Sequence, residues 1–478
     1  MDHYPDSDKR DVLFFKEDSS SECLPPIYHL PDELLVELCT YCSANDGMAP
    51  LTLASVSRLF REVILSSPRV WQLIYLNDQW PTLSSSHAQA DLWLTRSDPL
   101  PFDVVLNLQC SDALLSLLSP LLPSINRWRY CWISNAIEER YNLSSLILPG
   151  LIPALHHLNM VIQSLEDSDT SHQSPTFYFC GGYSQVPQHI SMNVSCTTLP
   201  SVESLYPMGF TTLNINERSI DVHLQPDEIL EFLNVCPMLE EFDYSGVLHD
   251  EVSTAKPQVI HLPHLRILSI RNTCFQRTML SGLDAPALRE LHLQNLNLDF
   301  ELQRHSAIDE GDSDEEDPDY SRSPWSDHHT GMGLRKFITR SNPPLEVLDM
   351  ELSDMRTKDF TWCFDRLSTL KRFRITGSDM SDRVIYLLKP VSLPPGNATS
   401  PQHMVQLRIP RLSALRLYSC QRLSGNAVVD AVGSRVRYTD EMTPDSTLEN
   451  ITLVDCTDFL PEHIMDLSKD LGSRLRIA

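Results

Sequence analysis

Few groups of residues in this chain have the types and spacing that chemistry requires. Cys39-x-x-Cys42 has the spacing of half a zinc site or of a redox pair. Zinc takes four tetrahedral ligands, however, and no second paired motif follows. Two small sulfur side chains at helical spacing instead predict packing in an apolar stripe. His156-His157 and His328-His329 lack companions at metal-ligand spacing and read as solvated histidines. Glu240-Glu241 offers the two carboxylates of glycoside hydrolysis, which must face each other across a cleft, but such pairs arise by chance among 64 acidic residues. No Gly-x-Gly-x-x-Gly, Gly-x-x-x-x-Gly-Lys or Gly-x-Ser-x-Gly occurs, so a phosphate cradle and a nucleophile elbow both lack their usual residues. Gly181-Gly182 reads as a turn. The expectation is a protein without catalytic residues, metal or cofactor, whose function lies in its surfaces.

The charge balance narrows the choice of surface. With 64 acidic against 38 basic residues the chain carries a formal charge of -26, which repels phosphate backbones and anionic lipid. Protein partners are therefore expected, with no nucleic acid and no membrane. The start, Met-Asp-His-Tyr-Pro-Asp, has neither a basic nor an apolar leader region, and no run of about 18 apolar residues occurs. Twelve cysteines lie scattered without the framework of a small disulfide-rich domain. The chain reads as intracellular, cytoplasmic or nuclear, with its cysteines as thiols.

The elements that must position those surfaces follow from periodicity. Residues 1 to about 23, rich in Asp, Ser and Glu, read as a disordered tail. From Leu30 to about Leu76 the pattern is helical, with Pro31 at a helix start and Asp32 and Glu33 in the first turn, where they complement the helix dipole. Leu34, Leu35, Leu38 and Tyr41 form one apolar stripe. Asn45-Asp46-Gly47 then turns the chain, and two further short helices carry Leu51, Leu53 and Val56, then Leu59, Phe60, Val63 and Ile64. Three helices in some fifty residues, assigned to 24–77, have a thin core, so an exposed apolar face is expected to dock on another protein.

After Pro81 the pattern alternates between strand and helix: a strand at Phe102–Leu108, a helix from Asp112 to Leu122 and a strand at Trp128–Ile133. Units around Trp128, Leu155 and Leu213 precede a recurring phrase, apolar-x-x-apolar-x-apolar. It appears as Leu239/Phe242/Tyr244, Leu265/Leu268/Ile270, Leu288/Leu291/Leu293, Leu345/Leu348/Met350, Leu370/Phe373/Ile375, Leu412/Leu415/Leu417 and Leu448/Ile451/Leu453. The starts lie 26, 23, 57, 25, 42 and 36 residues apart, so several intervals match a leucine-rich-repeat period of roughly 20 to 29 and the longer ones need insertions. One insertion, about 303–331, includes eight acids in the eleven residues Asp309 to Asp319 and reads as a solvated loop. Ser313, before Asp314-Glu-Glu316, stands there in a context resembling sites of acid-directed kinases. A second insertion, Pro390 to about His403, is proline-rich.

The predicted fold class is thus α/β: a short three-helix module, then an irregular leucine-rich-repeat solenoid over 82–478. Parallel strands line its concave face and helices its convex one. The residues between the inward leucines are the recognition candidates. Arg271, His292, Asp349, Glu351, Arg372, Arg374, Arg416 and Tyr418, with Glu241, Asp243, Ser269 and Glu290, face the hollow if the register holds, and a one-residue slip inverts them. Acids in early repeats and arginines in later ones point to a protein substrate of matching polarity.

Leu30-Pro-Asp-Glu-Leu-Leu-Val-Glu-Leu38, followed by Leu53-Ala-Ser-Val56-Ser-Arg-Leu-Phe60-Arg-Glu-Val-Ile64 and by Pro68-Arg-Val-Trp71, resembles an F-box. Leu92-Trp-Leu-Thr-Arg-Ser97 and Ile125-Asn-Arg-Trp-Arg129 are similar to phrases of fungal F-box proteins with repeat bodies. The resemblance implies a Skp-type adaptor as partner and, through it, a cullin-RING ubiquitin ligase, the body holding the substrate. By position, the adaptor contacts fall on Leu30, Pro31, Leu34, Leu38, Leu53, Val56 and Phe60. Cys420 and Cys456 stand where the repeat turn often has Asn or Cys, whereas Leu296 and Ser378 do not fit that turn.

Overall fold

In the computed structural model the described residues are 26–79, 83–108, 113–137, 146–148, 157–164, 177–179, 190–195, 199, 201–202, 210–217, 224–247, 258–296, 328–353, 355–378, 380–392, 405–420, 422–456 and 459–477. The expected tail, Ser313 with its acidic stretch, the Gly181-Gly182 turn and most of the proline-rich insertion lie outside them.

The fold is mixed α/β, built on one fourteen-stranded sheet. Its strands are Leu73–Asn77, Phe102–Leu108, Trp128–Ile137, His157–Ser164, Ile190–Ser195, Phe210–Asn216, Glu241–Ser245, Ile267–Arg271, Glu290–Gln294, Val347–Glu351, Arg372–Ser378, Ala414–Cys420, Asn450–Val454 and Leu475–Ile477. They stand in chain order, each parallel to the next. Parallel neighbours need crossovers, and right-handed crossovers that always step the same way fall on one face of the sheet. Among the described residues the other face is left open. Burial alternates accordingly along Glu241–Ser245, Ile267–Arg271 and Glu290–Gln294, with one side chain buried and the next half-exposed.

The seven phrases align without a slip. Phe242, Leu268, Leu291, Leu348, Phe373, Leu415 and Ile451 form one row of register partners, and Tyr244, Ile270, Leu293, Met350, Ile375, Leu417 and Leu453 the next. Every one of them is buried, as is the leucine that opens each phrase, and burial of such a side chain contributes about 1.5–3 kcal/mol. The helices Gln276–Gly282, His328–Ser341, Thr357–Phe364 and Gly425–Met442 close the same core with Met279, Phe337, Phe360 and Val432.

A second device repeats beside the leucines. The residue seven places after each opening leucine adopts a left-handed conformation in six phrases: Asn272, Asn295, Leu352, Gly377, Ser419 and Asp455 have φ of 52°, 51°, 46°, 63°, 50° and 51°. The amide of such a residue continues the ladder, as where Asn295 donates to the Glu351 carbonyl at 2.7 Å and Leu352 to that of Thr376 at 2.8 Å. The next residue turns inward. Ser353 Oγ donates to the Glu351 carbonyl at 3.0 Å, Cys420 Sγ to that of Tyr418 and Cys456 Sγ to that of Val454, both at 3.6 Å, while Ser378 Oγ accepts from the Met380 amide at 3.0 Å. Ser378 therefore belongs to the turn after all, because the position takes a small hydroxyl as well as a thiol. Leu296 fills it with buried apolar bulk. Left-handed backbone is strained for most L-residues but not for Asn, so Ser419→Asn is expected to raise the unfolding free energy by about 1 kcal/mol in urea titration.

Three expectations need correction. The helical pattern does not continue to Leu76: Leu73–Asn77 is the first strand, paired with Phe102–Leu108. An apolar run of this length fits strand and helix alike, and a distant partner decides. The expected helix from Asp112 to Leu122 is shorter, Ala113–Leu118, and a 3-10 turn follows at Leu122–Arg127. The acidic insertion does not reach 331, because the helix His328–Ser341 begins before that point and Thr330 and Gly331 are buried. A Cβ at Gly331 would lie 2.4 Å from Asp359 Oδ2, so glycine serves close approach there rather than a loop.

Two charged groups sit deep in this core. Asp359 is buried between Arg335 Nη1 at 3.0 Å and Arg356 Nε at 3.2 Å. Arg435 is equally buried and donates to the carbonyls of Leu388, Arg408 and Ile409 at 3.3, 2.9 and 2.6 Å. Burial pushes its guanidinium down to about 10, still charged at neutral pH. Among the described residues no helix is long and apolar enough to cross a membrane.

Candidate functional site

Two surfaces hold the residues singled out from the sequence. The first is the N-terminal helical segment: α1 (Asp32–Asn45), α2 (Ala49–Ala54) and α3 (Arg58–Ser66), followed by the 3-10 turn Pro68–Trp71. Ser57 caps α3 by accepting from the Phe60 amide at 3.3 Å. The apolar residues of α1 divide between two faces. Leu35 and Cys39 are buried, whereas Leu34, Leu38 and Tyr41, at i, i+4 and i+7, are 54, 40 and 75% exposed. Leu35 thus leaves the stripe in which the sequence placed it.

Of the seven residues proposed to meet an adaptor, Leu30, Pro31, Leu34, Leu38 and Val56 are exposed, and Leu53 is half-buried against the core. Phe60 is buried with Val63 and Ile64 on the inner face of α3 and is a core residue. Spacing alone cannot tell the inner from the outer face of a helix that is apolar on both. Tyr28 and Leu51 are exposed beside the predicted set and were missed. The signal available for Leu51 was its place at the start of the apolar run Leu51, Leu53, Val56.

Cys39 is buried and its thiol is pushed up by that burial and by Cys42, which is the state of a packing residue rather than of a thiolate nucleophile. Among the described residues no group of three His, Cys, Asp or Glu is arranged to hold a metal. His157 departs from the solvated reading. It stacks on Tyr130, ring centroids 4.8 Å apart and 9° from parallel, and burial lowers its pKa. Glu240 pairs with Arg266 at 3.4 Å, off the open face, while Glu241 lies on it.

The second surface is the open face of the sheet. Seven of the eight recognition candidates, His292, Asp349, Glu351, Arg372, Arg374, Arg416 and Tyr418, come together across four adjacent strands. Asp349 is their centre. Its side chain is only 12% exposed, with Arg374 Nη1 at 3.3 Å and His292 Nδ1 at 3.7 Å from Oδ2. Arg374 also lies 3.9 Å from Glu351 and sets its guanidinium over the Tyr418 ring, 5.3 Å from the centroid. Arg372 reaches Glu290 at 3.5 Å, and Glu290 is 3.6 Å from His292. Arg271 stands apart from this group, on the strand next to that of His292, its guanidinium bound through two nitrogens to Asp243.

These pairings change the electrostatic expectation. Most of the acids and arginines pair with one another across strands, so the face presents a near-neutral network. Arg416, exposed, makes no ion pair among the described residues. A shallow depression of about 90 Å³ lies among these side chains, and the apolar residues Val347 and Ala414 also line it. Those two were missed, although they occupy the strand-entry position at which other phrases carry Glu241, Glu290 and Arg372.

No protein-family model and no curated protein matches the chain.

Proposed function

We propose that the chain is a non-catalytic substrate receptor of a Skp-cullin-F-box type ubiquitin ligase. On this reading the helices from Leu30 to Trp71 are an F-box docking on a Skp-type adaptor. The sheet is the body of a leucine-rich-repeat solenoid whose open, concave side holds the target protein. The observation that carries the reading is the exposed leucine stripe of α1, Leu34 and Leu38, on a helix whose opposite face, Leu35 and Cys39, is buried in the core. Apolar side chains exposed in register on a small helical unit are stabilised by a partner that buries them.

The test is direct binding of the purified chain to a Skp-type adaptor, beside Leu34→Asp combined with Leu38→Asp. Both side chains already meet water, so the folded state is expected to keep its thermal midpoint. Burying two unpaired carboxylates at the contact is expected to weaken binding by at least about 100-fold. Failure of the folded, unaltered chain to bind would leave a scaffold acting outside ubiquitin transfer.

A further inference from the structure

Two cysteine thiols, Cys420 and Cys456, stand at equivalent points of neighbouring turns, at the end of the sheet away from the helical segment. Tyr418 and Val454 are the last register partners of the strands Ala414–Cys420 and Asn450–Val454. Each strand then runs through one left-handed residue, Ser419 or Asp455, with φ of 50° and 51°, so the chains stay side by side as far as Cys420 and Cys456. Ser419 Oγ donates to Asp455 Oδ2 at 3.1 Å, tying the two turns together. Parallel strands lie about 4.8 Å apart, inside the Cα separation of about 4.4–6.8 Å that a disulfide spans. Cys456 Sγ already reaches across to the Leu417 carbonyl of the neighbouring strand, at 3.9 Å.

We propose that Cys420 and Cys456 form a peroxide-oxidisable dithiol that closes to a disulfide between these two turns. The two sulfurs are unequal in the way such a site needs. Cys456 is half-exposed and Cys420 is buried, so Cys456 meets the oxidant and Cys420 resolves. Hydrogen bonding by Cys420 holds the Cys456 thiol below its ordinary range, against the opposing effect of burial. Elsewhere in the described core, Cys131 lies within the sheet and burial pushes its thiol up to about 12, which keeps it inert.

The chemistry balances with hydrogen peroxide as oxidant. The Cys456 thiolate attacks one peroxide oxygen; an S–O bond forms, the O–O bond breaks, and the departing hydroxide takes a proton to become water. Cys420 gives up its proton as its sulfur attacks the Cys456 sulfur. The S–S bond forms, the S–O bond breaks, and the second oxygen leaves as water. Two thiols lose two electrons and peroxide becomes two waters. The bond staples the thirteenth strand of the sheet to the twelfth.

The test uses the full chain. Treated with dilute hydrogen peroxide, blocked with iodoacetamide and digested without reductant, it is expected to yield a peptide pair joined through Cys420 and Cys456, two hydrogens lighter than the free pair and lost on adding dithiothreitol. Ser353 and Ser378 fill the same place in their own turns with a hydroxyl, so Cys420→Ser keeps the fold. In that variant Cys456 is expected to stop at the sulfenic acid and to label with dimedone several-fold more than in the unaltered chain. Cys456→Ser should leave Cys420 unlabelled by dimedone. Full alkylation of both cysteines after peroxide would overturn the proposal. So would dimedone labelling of Cys456 that Cys420→Ser leaves unchanged.

Discussion

Trp71→Ala is expected to lower the unfolding free energy by about 3–5 kcal/mol, the range for removing a buried tryptophan. Trp71 ends the helical segment and is 1% exposed. Its ring meets the edge of Trp93, on the helix α4 (Leu83–Ser97), with centroids 5.0 Å apart and planes at 80°. Its Nε1 donates to the Ile64 carbonyl at 2.9 Å, which holds the end of α3. One side chain therefore joins the segment that carries Leu34 and Leu38 to the first helix of the sheet body. Trp71→Phe keeps an aromatic ring at the site but loses the N–H and the second ring of the indole. The Ile64 carbonyl still accepts from the Ser67 amide at 3.4 Å, so a smaller loss than for Trp71→Ala, about 2 kcal/mol, is expected there. Urea titration followed by tryptophan fluorescence and by circular dichroism separates the two variants. Equal, small losses for both would show that the helical segment is not fixed to the body through this residue.

The second large effect is expected at Asp359. Asp359→Ala removes the carboxylate that both Arg335 and Arg356 face, and Arg356 is itself buried. Breaking a buried ion pair by deleting one partner costs about 3–5 kcal/mol, because the remaining charge stays in a low-dielectric site. Replacing both charged partners by apolar groups is far better tolerated. Adding Arg356→Met to Asp359→Ala is therefore expected to recover part of the loss. Arg335 is 38% exposed and lies over Trp362, 5.4 Å from the ring centroid. Arg335→Met should cost less than Asp359→Ala for that reason. Thermal and urea midpoints of the three variants check the order, and a double variant less stable than Asp359→Ala alone would contradict it.

The exposed stripe of α1 and the open face of the sheet were legible to different degrees, and the difference has a physical cause. Along a strand the side chains alternate between two faces, so the phrase Leu-x-x-Leu-x-Leu by itself fixes which residues enter the core and which stay outside. That local rule was enough to place Asp349, Arg372, Arg374 and Arg416 on the open face in the right register. The left-handed turn was partly legible as well. Asn272, Asn295, Gly377 and Asp455 are residue types that favour it, and Leu352 and Ser419 give no such sign.

What the sequence by itself determined, then, is the period-two alternation of the seven phrases and the start of α1 after Pro31, because both depend on residues close together in the chain. Only the tertiary structure decided which apolar face of α1 stays in water, that Phe60 belongs to the core, that Leu73–Asn77 is a strand, and which acid on the open face neutralises which arginine. Each of these depends on a partner dozens of residues away. Burial and pairing are properties of the neighbours that folding brings together, and for Arg372 and Glu290 those neighbours are 82 positions apart.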